Sequence, residues 1–109
     1  MNVTDWRRKI DAIDTAMLHL LNLRAELAVE IGKMKAQEGT ALRVPVREQE
    51  ILARMKHLNP GPLVGDSVEK IFTLILDQSI RTQELHGCGK AAEAKPAARE
   101  TTRGKRARS

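Results

Sequence analysis

From Trp6 onward, apolar residues return at alternating four- and three-residue steps: Ile10, Ile13, Met17, Leu20, and then Leu27, Ile31 and Met34. That spacing lines one face of an α-helix. No proline interrupts the run, and Gly32 is the single weak helix former inside it. The pattern predicts a helix from about Thr4 to about Gln37, with Thr4 or Asp5 as N-cap and Gly39 as the C-terminal stop. At about 1.5 Å per residue such a helix is roughly 50 Å long. A compact chain of 109 residues has a radius of gyration of about 13 Å. The helix therefore overhangs any fold the remaining residues can build, yet its apolar stripe runs to the end. A second copy of the chain is the simplest cover, and a helical homodimer is expected.

Charge enters this stripe twice. The step from Leu20 to Leu27 lands on Arg24, and Lys35 lies eleven residues further on. At about 100° per residue, that separation is roughly three turns plus 20°, so the two cations share the stripe's face. Burying a charge is costly unless something pairs with it. No Asp or Glu in the stripe supplies a partner, so an anionic ligand between packed helices is expected.

Two shorter helices follow. Pro45 suits a first helical turn, and helix 2 is expected over about Val46–Leu58, with Glu48, Leu52 and Met55 in phase. Asn59-Pro60-Gly61-Pro62 is a strong breaker. Helix 3 starts near Gly65 or Asp66 and runs to about His86, with Val68, Ile71, Phe72 and Ile75 as its stripe. It too turns polar, because Ser79 and Gln83 follow Ile75 at four-residue steps. Gly87-Cys88-Gly89 ends it. The fold class is all-α, a three-helix chain with a long first helix. Trp6 and Phe72 are the only aromatic residues, so the core must come from aliphatic side chains, a palette that suits helices.

The net charge of +5 is unevenly placed. Residues 87–109 hold seven Lys/Arg and two Glu, whereas residues 1–86 hold twelve basic and twelve acidic residues. The expected organisation is a helical domain over 1–86 and a disordered basic tail over 87–109. A neutral folded part argues against nucleic acid as the partner. The lone Cys88 excludes an internal disulfide and fits a reducing compartment. No apolar run approaches the roughly 18 residues of a membrane span, and the segment before the helix has no signal-peptide character. A soluble cytoplasmic protein is expected.

Each helix thus carries polar groups in apolar registers: Arg24 and Lys35, then Glu48 with Arg47 beside it, then Ser79 and Gln83. Arg7 lies about 25 Å along the axis from Arg24 and reaches the same small ligand only from the partner subunit of a dimer. The set is rich in donors and contains no nucleophile. His19, His57 and His86 fall outside it, and neither a metal-ligand cluster nor a phosphate loop is present. No metal and no cofactor are expected. Such a set suits a small di-anion whose reaction needs holding and polarising rather than covalent attack.

These residues resemble a known family. The run from Trp6 to Asp14, Leu20-Leu21-Asn22-Leu23-Arg24 and Ala28-Val29-Glu30-Ile31-Gly32-Lys33-Met34-Lys35 are similar to the first helix of the all-α chorismate mutases. Val44-Pro45-Val46-Arg47-Glu48 and Asp77-Gln78-Ser79-Ile80-Arg81-Thr82-Gln83 resemble the motifs of its second and third helices. The likeness covers about residues 5–85 and excludes the tail. It implies an intertwined homodimer with two equivalent sites, and rearrangement of chorismate to prephenate in phenylalanine and tyrosine biosynthesis. In that pattern Arg24 and the partner's Arg7 bind the substrate carboxylates, with Arg47 and Ser79 assisting. Lys35 and Gln83 donate to the ether oxygen, and Glu48 holds the ring hydroxyl. Two neighbouring readings stay open. One is isochorismate-pyruvate lyase, which has the same fold, although Gly39–Arg43 resembles the mutase loop more. The other is a weakly active regulatory mutase domain that docks on another shikimate-pathway enzyme.

Overall fold

The computed structural model describes residues 1–89. They form α1 (Val3–Glu38), α2 (Pro45–Leu58) and α3 (Gly65–Leu85), with no strand among the described residues. The expected disordered tail lies, from residue 90 on, outside the described residues.

Helix α1 starts at Val3, one residue earlier than its sequence suggests. Its cap is Asn2, not Thr4 or Asp5. The Asn2 side chain accepts from the Asp5 backbone N–H at 3.0 Å, and the Asp5 carboxylate accepts from the Asn2 N–H at 3.1 Å. This reciprocal capping box needs an acceptor side chain at the third helical position. Only a start at Asn2 puts Asp5 there. The helix ends as expected at Gly39, whose φ of 76° is the left-handed conformation a glycine adopts without strain. Thr40 N–H then reaches back to the Lys35 carbonyl at 3.0 Å.

Helix α3 packs against both α1 and α2, which touch each other far less. Its inward arc is therefore wider than a single stripe. Val68 and Leu76 are buried with Gln83, Phe72 and Ile75 are half-buried, and Ile71 stays exposed. Leu76, rather than Ile71, completes the inner row. On α2 the buried residue is Ile51, with Leu52 and Met55 half-buried beside it.

The chain is elongated, 63 × 27 × 19 Å with a radius of gyration of 17.9 Å. From Met1 to Leu23 every residue except Asp5 is exposed. Trp6, Ile10, Ile13, Met17 and Leu20 are thus an open apolar face on a projecting half-helix. Covering one such side chain fully is worth about 1.5–3 kcal/mol, so the open face is a strong drive to associate. No helix among the described residues is long and apolar enough to cross a membrane.

The chain also stays packed beyond the domain boundary expected at residue 86. Cys88 is 3% exposed, because the turn after α3 folds back onto α1.

Candidate active site

One cavity of about 370 Å³ opens where the C-terminal half of α1, the start of α2 and the end of α3 meet. Arg24, Lys35, Arg47, Glu48, Ser79 and Gln83 all line it, with Leu27, Ile31, Val44, Ile51, Leu76 and Ile80 as its apolar walls. Six of the seven residues picked out by sequence therefore converge. Arg7 does not line it, lying exposed on the projecting half of α1.

The polar groups are held in defined orientations. The Ser79 hydroxyl donates to the Ile75 carbonyl at 3.0 Å, which leaves its oxygen to accept from the Arg24 guanidinium at 2.6 Å. Arg24 is thereby fixed with further N–H groups free toward the cavity. Lys35 Nζ donates to the Leu42 carbonyl at 2.9 Å, an arrangement that leaves two of its three protons available. Among the described residues, neither Arg24 nor Lys35 has a carboxylate within ion-pairing distance. The side chain of Arg47 projects from the first turn of α2, with only a long 3.8 Å pairing to Glu50.

Gln83 is 5% exposed. Its Nε2 donates to the Ala28 carbonyl at 2.7 Å. A carbonyl only accepts, so this contact fixes which end of the amide faces α1. One N–H remains for a ligand. Its Oε1 is buried and has no partner among the described residues, an unusual state for a buried polar atom.

Arg43 was not picked out by the sequence pattern. It lies in the loop before α2 and donates to Glu48 Oε1 and to Asp77 Oδ1, each at 2.9 Å. The hydrogen bond to Asp77 holds its guanidinium above the ordinary range, with the charges of Glu48 and Asp77 adding and partial burial opposing. Arg43 thus ties the cavity's only lining carboxylate to α3. Periodicity is silent about it because a loop residue occupies no helical register.

His19, His57 and His86 are all exposed. Among the described residues no three His, Cys, Asp or Glu side chains gather as metal ligands do. The cavity offers donors, one carboxylate and no nucleophile. It can bind and polarise an anion.

Comparison with known proteins agrees with this chemistry. Residues 6–84 match the sequence pattern of the family described as chorismate mutase type II. The bifunctional chorismate mutase/prephenate dehydratase of Neisseria gonorrhoeae is 39% identical over 77 residues, which is 71% of this chain and 21% of that protein. The T-protein of Enterobacter agglomerans is 33% identical over 86 residues, 78% of this chain and 23% of its own length. The chain thus spans about a fifth of the length of these relatives. Among solved structures, a chorismate mutase from Thermus thermophilus superimposes with a TM-score of 0.74 at 32% identity, covering 75% of this chain and 93% of that one.

Proposed function

The chain belongs to the chorismate mutase type II family, and from that premise we propose that it rearranges chorismate to prephenate. The observation that carries this reading is the cavity itself: two cations without carboxylate partners share it with an amide, a hydroxyl and one carboxylate. Chorismate is a dicarboxylate with a ring hydroxyl and an ether oxygen, and one carboxylate, the hydroxyl and the ether oxygen each have a counterpart there.

The reaction is an intramolecular Claisen shift. The ether C–O bond breaks as a C–C bond forms to the ring, so no external nucleophile, acid or base takes part. Arg24, braced by Ser79, clamps one carboxylate, and Arg47 at the rim assists. Arg7 of the partner subunit reaches over to the other carboxylate. Together they hold the flexible enolpyruvyl arm above the ring, removing orientational freedom before the barrier. Negative charge grows on the ether oxygen as the bond breaks. Lys35 and the free N–H of Gln83 meet that charge, binding the transition state more tightly than the substrate. Glu48, aimed by Arg43, accepts from the ring hydroxyl. The apolar walls of Leu27, Ile31, Val44, Ile51 and Ile80 lower the local dielectric and strengthen every one of these contacts.

The open apolar face of α1 supports a homodimer with sites shared between subunits. Its formation covers Trp6 through Leu20 and brings Arg7 to a site it cannot reach in its own chain. The setting proposed is the cytoplasm. Relatives named as mutase joined to prephenate dehydratase support docking on another enzyme of the same pathway as a further part of this reading.

Purified protein incubated with chorismate should give prephenate, identified by chromatography. No product from chorismate, with pyruvate released from isochorismate, would instead make the chain a lyase of the same fold.

A further inference from the structure

The turn that ends α3 repeats, in detail, the turn that ends α1. Gly87, at φ 84°, donates its N–H to the Glu84 carbonyl at 3.0 Å, and Cys88 N–H reaches the Gln83 carbonyl at 2.9 Å. Gly39 donates to Ala36 at 3.3 Å, and Thr40 to Lys35 at 3.0 Å. Both are Schellman motifs, and the residues lying four before their left-handed glycines, whose carbonyls accept the longer of the two turn bonds, are Gln83 and Lys35. The two side chains assigned to the ether oxygen therefore sit at equivalent places, each locked by a helix-ending turn.

The α3 turn does more than end a helix. A Schellman motif characteristically brings the side chain after the left-handed residue onto the one four residues before that left-handed residue. Here those are Cys88 and Gln83, and the pair is seated on Gly32 of α1. A Cβ at Gly32 would lie 2.8 Å from Cys88 Sγ, 3.0 Å from Cys88 Cβ and 3.1 Å from Gln83 Cγ. Only glycine permits that approach. The thiol points at the Val29 carbonyl at 3.7 Å, one residue beyond Ala28, whose carbonyl orients the Gln83 amide. Gly89 is buried in turn against Leu42, to which a Cβ would approach within 3.0 Å. Leu42 is the residue whose carbonyl holds Lys35.

We propose that residues 86–89 form a clasp that positions both ether-oxygen donors, with Cys88 on Gly32 fixing the Gln83 amide and Gly89 bracing the Leu42 carbonyl that holds Lys35. The proposal rests on the mutase reading for the identity of the reaction. Cys88 and Gly32 are positioning residues: neither touches substrate, and both act through Gln83. The volume that Cys88 fills at this contact, rather than its thiol chemistry, is what the clasp uses.

The test uses the full chain. Cys88→Gly empties the seat and should lower kcat by roughly tenfold with KM changed less than about threefold, since a displaced donor weakens mainly the transition state. Cys88→Ser refills it and should restore kcat to within about threefold of wild type. Gly32→Ala should lose activity, and the double variant Gly32→Ala, Cys88→Gly should recover part of it, because the second change removes most of the clash made by the first. The side-chain amide of Gln83 reports position without substrate. In nitrogen-15 spectra its pair of signals, identified by their absence in Gln83→Glu, should shift and exchange faster in Cys88→Gly but not in Cys88→Ser. An unmoved Gln83 amide in Cys88→Gly, or a moved amide with unchanged kcat, overturns the clasp. Wild-type protein inert toward chorismate defeats the mutase reading instead, and the amide spectra still decide whether the clasp fixes Gln83.

Discussion

Two arginines of α1 lead to opposite expectations. Arg24 is half-buried and braced by Ser79 at 2.6 Å, whereas Arg8 is 77% exposed and only 3.8 Å from Asp5. Arg24→Ala should cost about 3 kcal/mol of transition-state stabilisation, the scale of a lost buried charge contact. Arg8→Ala should change kcat/KM by less than about threefold, as an exposed ion pair contributes little. Equal losses in the two variants would place the site elsewhere. Gln83→Glu replaces a donor that has no proton to lose by one that donates only when protonated. Its activity should rise as pH falls, and a profile parallel to wild type would remove Gln83 from the breaking bond. Cys88 offers a pH test of packing. Burial pushes its thiol up, with Lys33 opposing and Glu30 adding. The folded state then holds the proton more tightly than the unfolded chain. That contribution is complete below the unfolded value of about 8.5 and is lost as pH rises. Raising the pH from about 7.5 to about 9.5 should lower the Tm of wild type more than that of Cys88→Ser, and parallel curves would deny the burial. At this scale the sequence was legible wherever a polar residue broke a helical register, as Arg24, Lys35, Glu48, Ser79 and Gln83 do. Arg43 and Cys88 break no register, being in turns, and only the folded chain brings them to Glu48 and Gln83.

At the scale of elements, the bodies of the three helices follow from periodicity, but their ends do not. The start of α1 depends on a reciprocal bond between Asn2 and Asp5, a local competition among cap candidates that spacing cannot rank. The inner row of α3 runs through Leu76 rather than Ile71 because two helices pack against it, a tertiary fact absent from any one stripe. The end of α3 has the largest consequence. A chain ending after Gly89 keeps the packed turn and should retain kcat/KM within about threefold. A chain ending at Leu85 loses Cys88 from its seat and should lose roughly tenfold or more. Comparable activity of the two would show that the turn is an ornament of the helix end.

Residues 1–89 are spread too widely for a compact unit of their length. Their radius of gyration of 17.9 Å exceeds the roughly 12 Å of a compact unit of that length, and the excess is the bare half of α1. That mismatch was visible from the length of the apolar stripe alone. What covers the stripe was not, since an exposed face names no partner. Sedimentation at micromolar concentration should give twice the chain mass, and a folded, active monomer would remove the need for Arg7 in trans. On the proposed mutase reading, each site draws Arg24 from one subunit and Arg7 from the other. Arg7→Ala and Arg24→Ala proteins, each inactive alone, should therefore regain activity when mixed and allowed to exchange subunits. Every mixed dimer then has one site with both arginines and one with neither. Random exchange makes half of the dimers mixed, so activity with chorismate should approach about a quarter of wild type. No recovery, with exchange demonstrated by mass, would contradict the shared site.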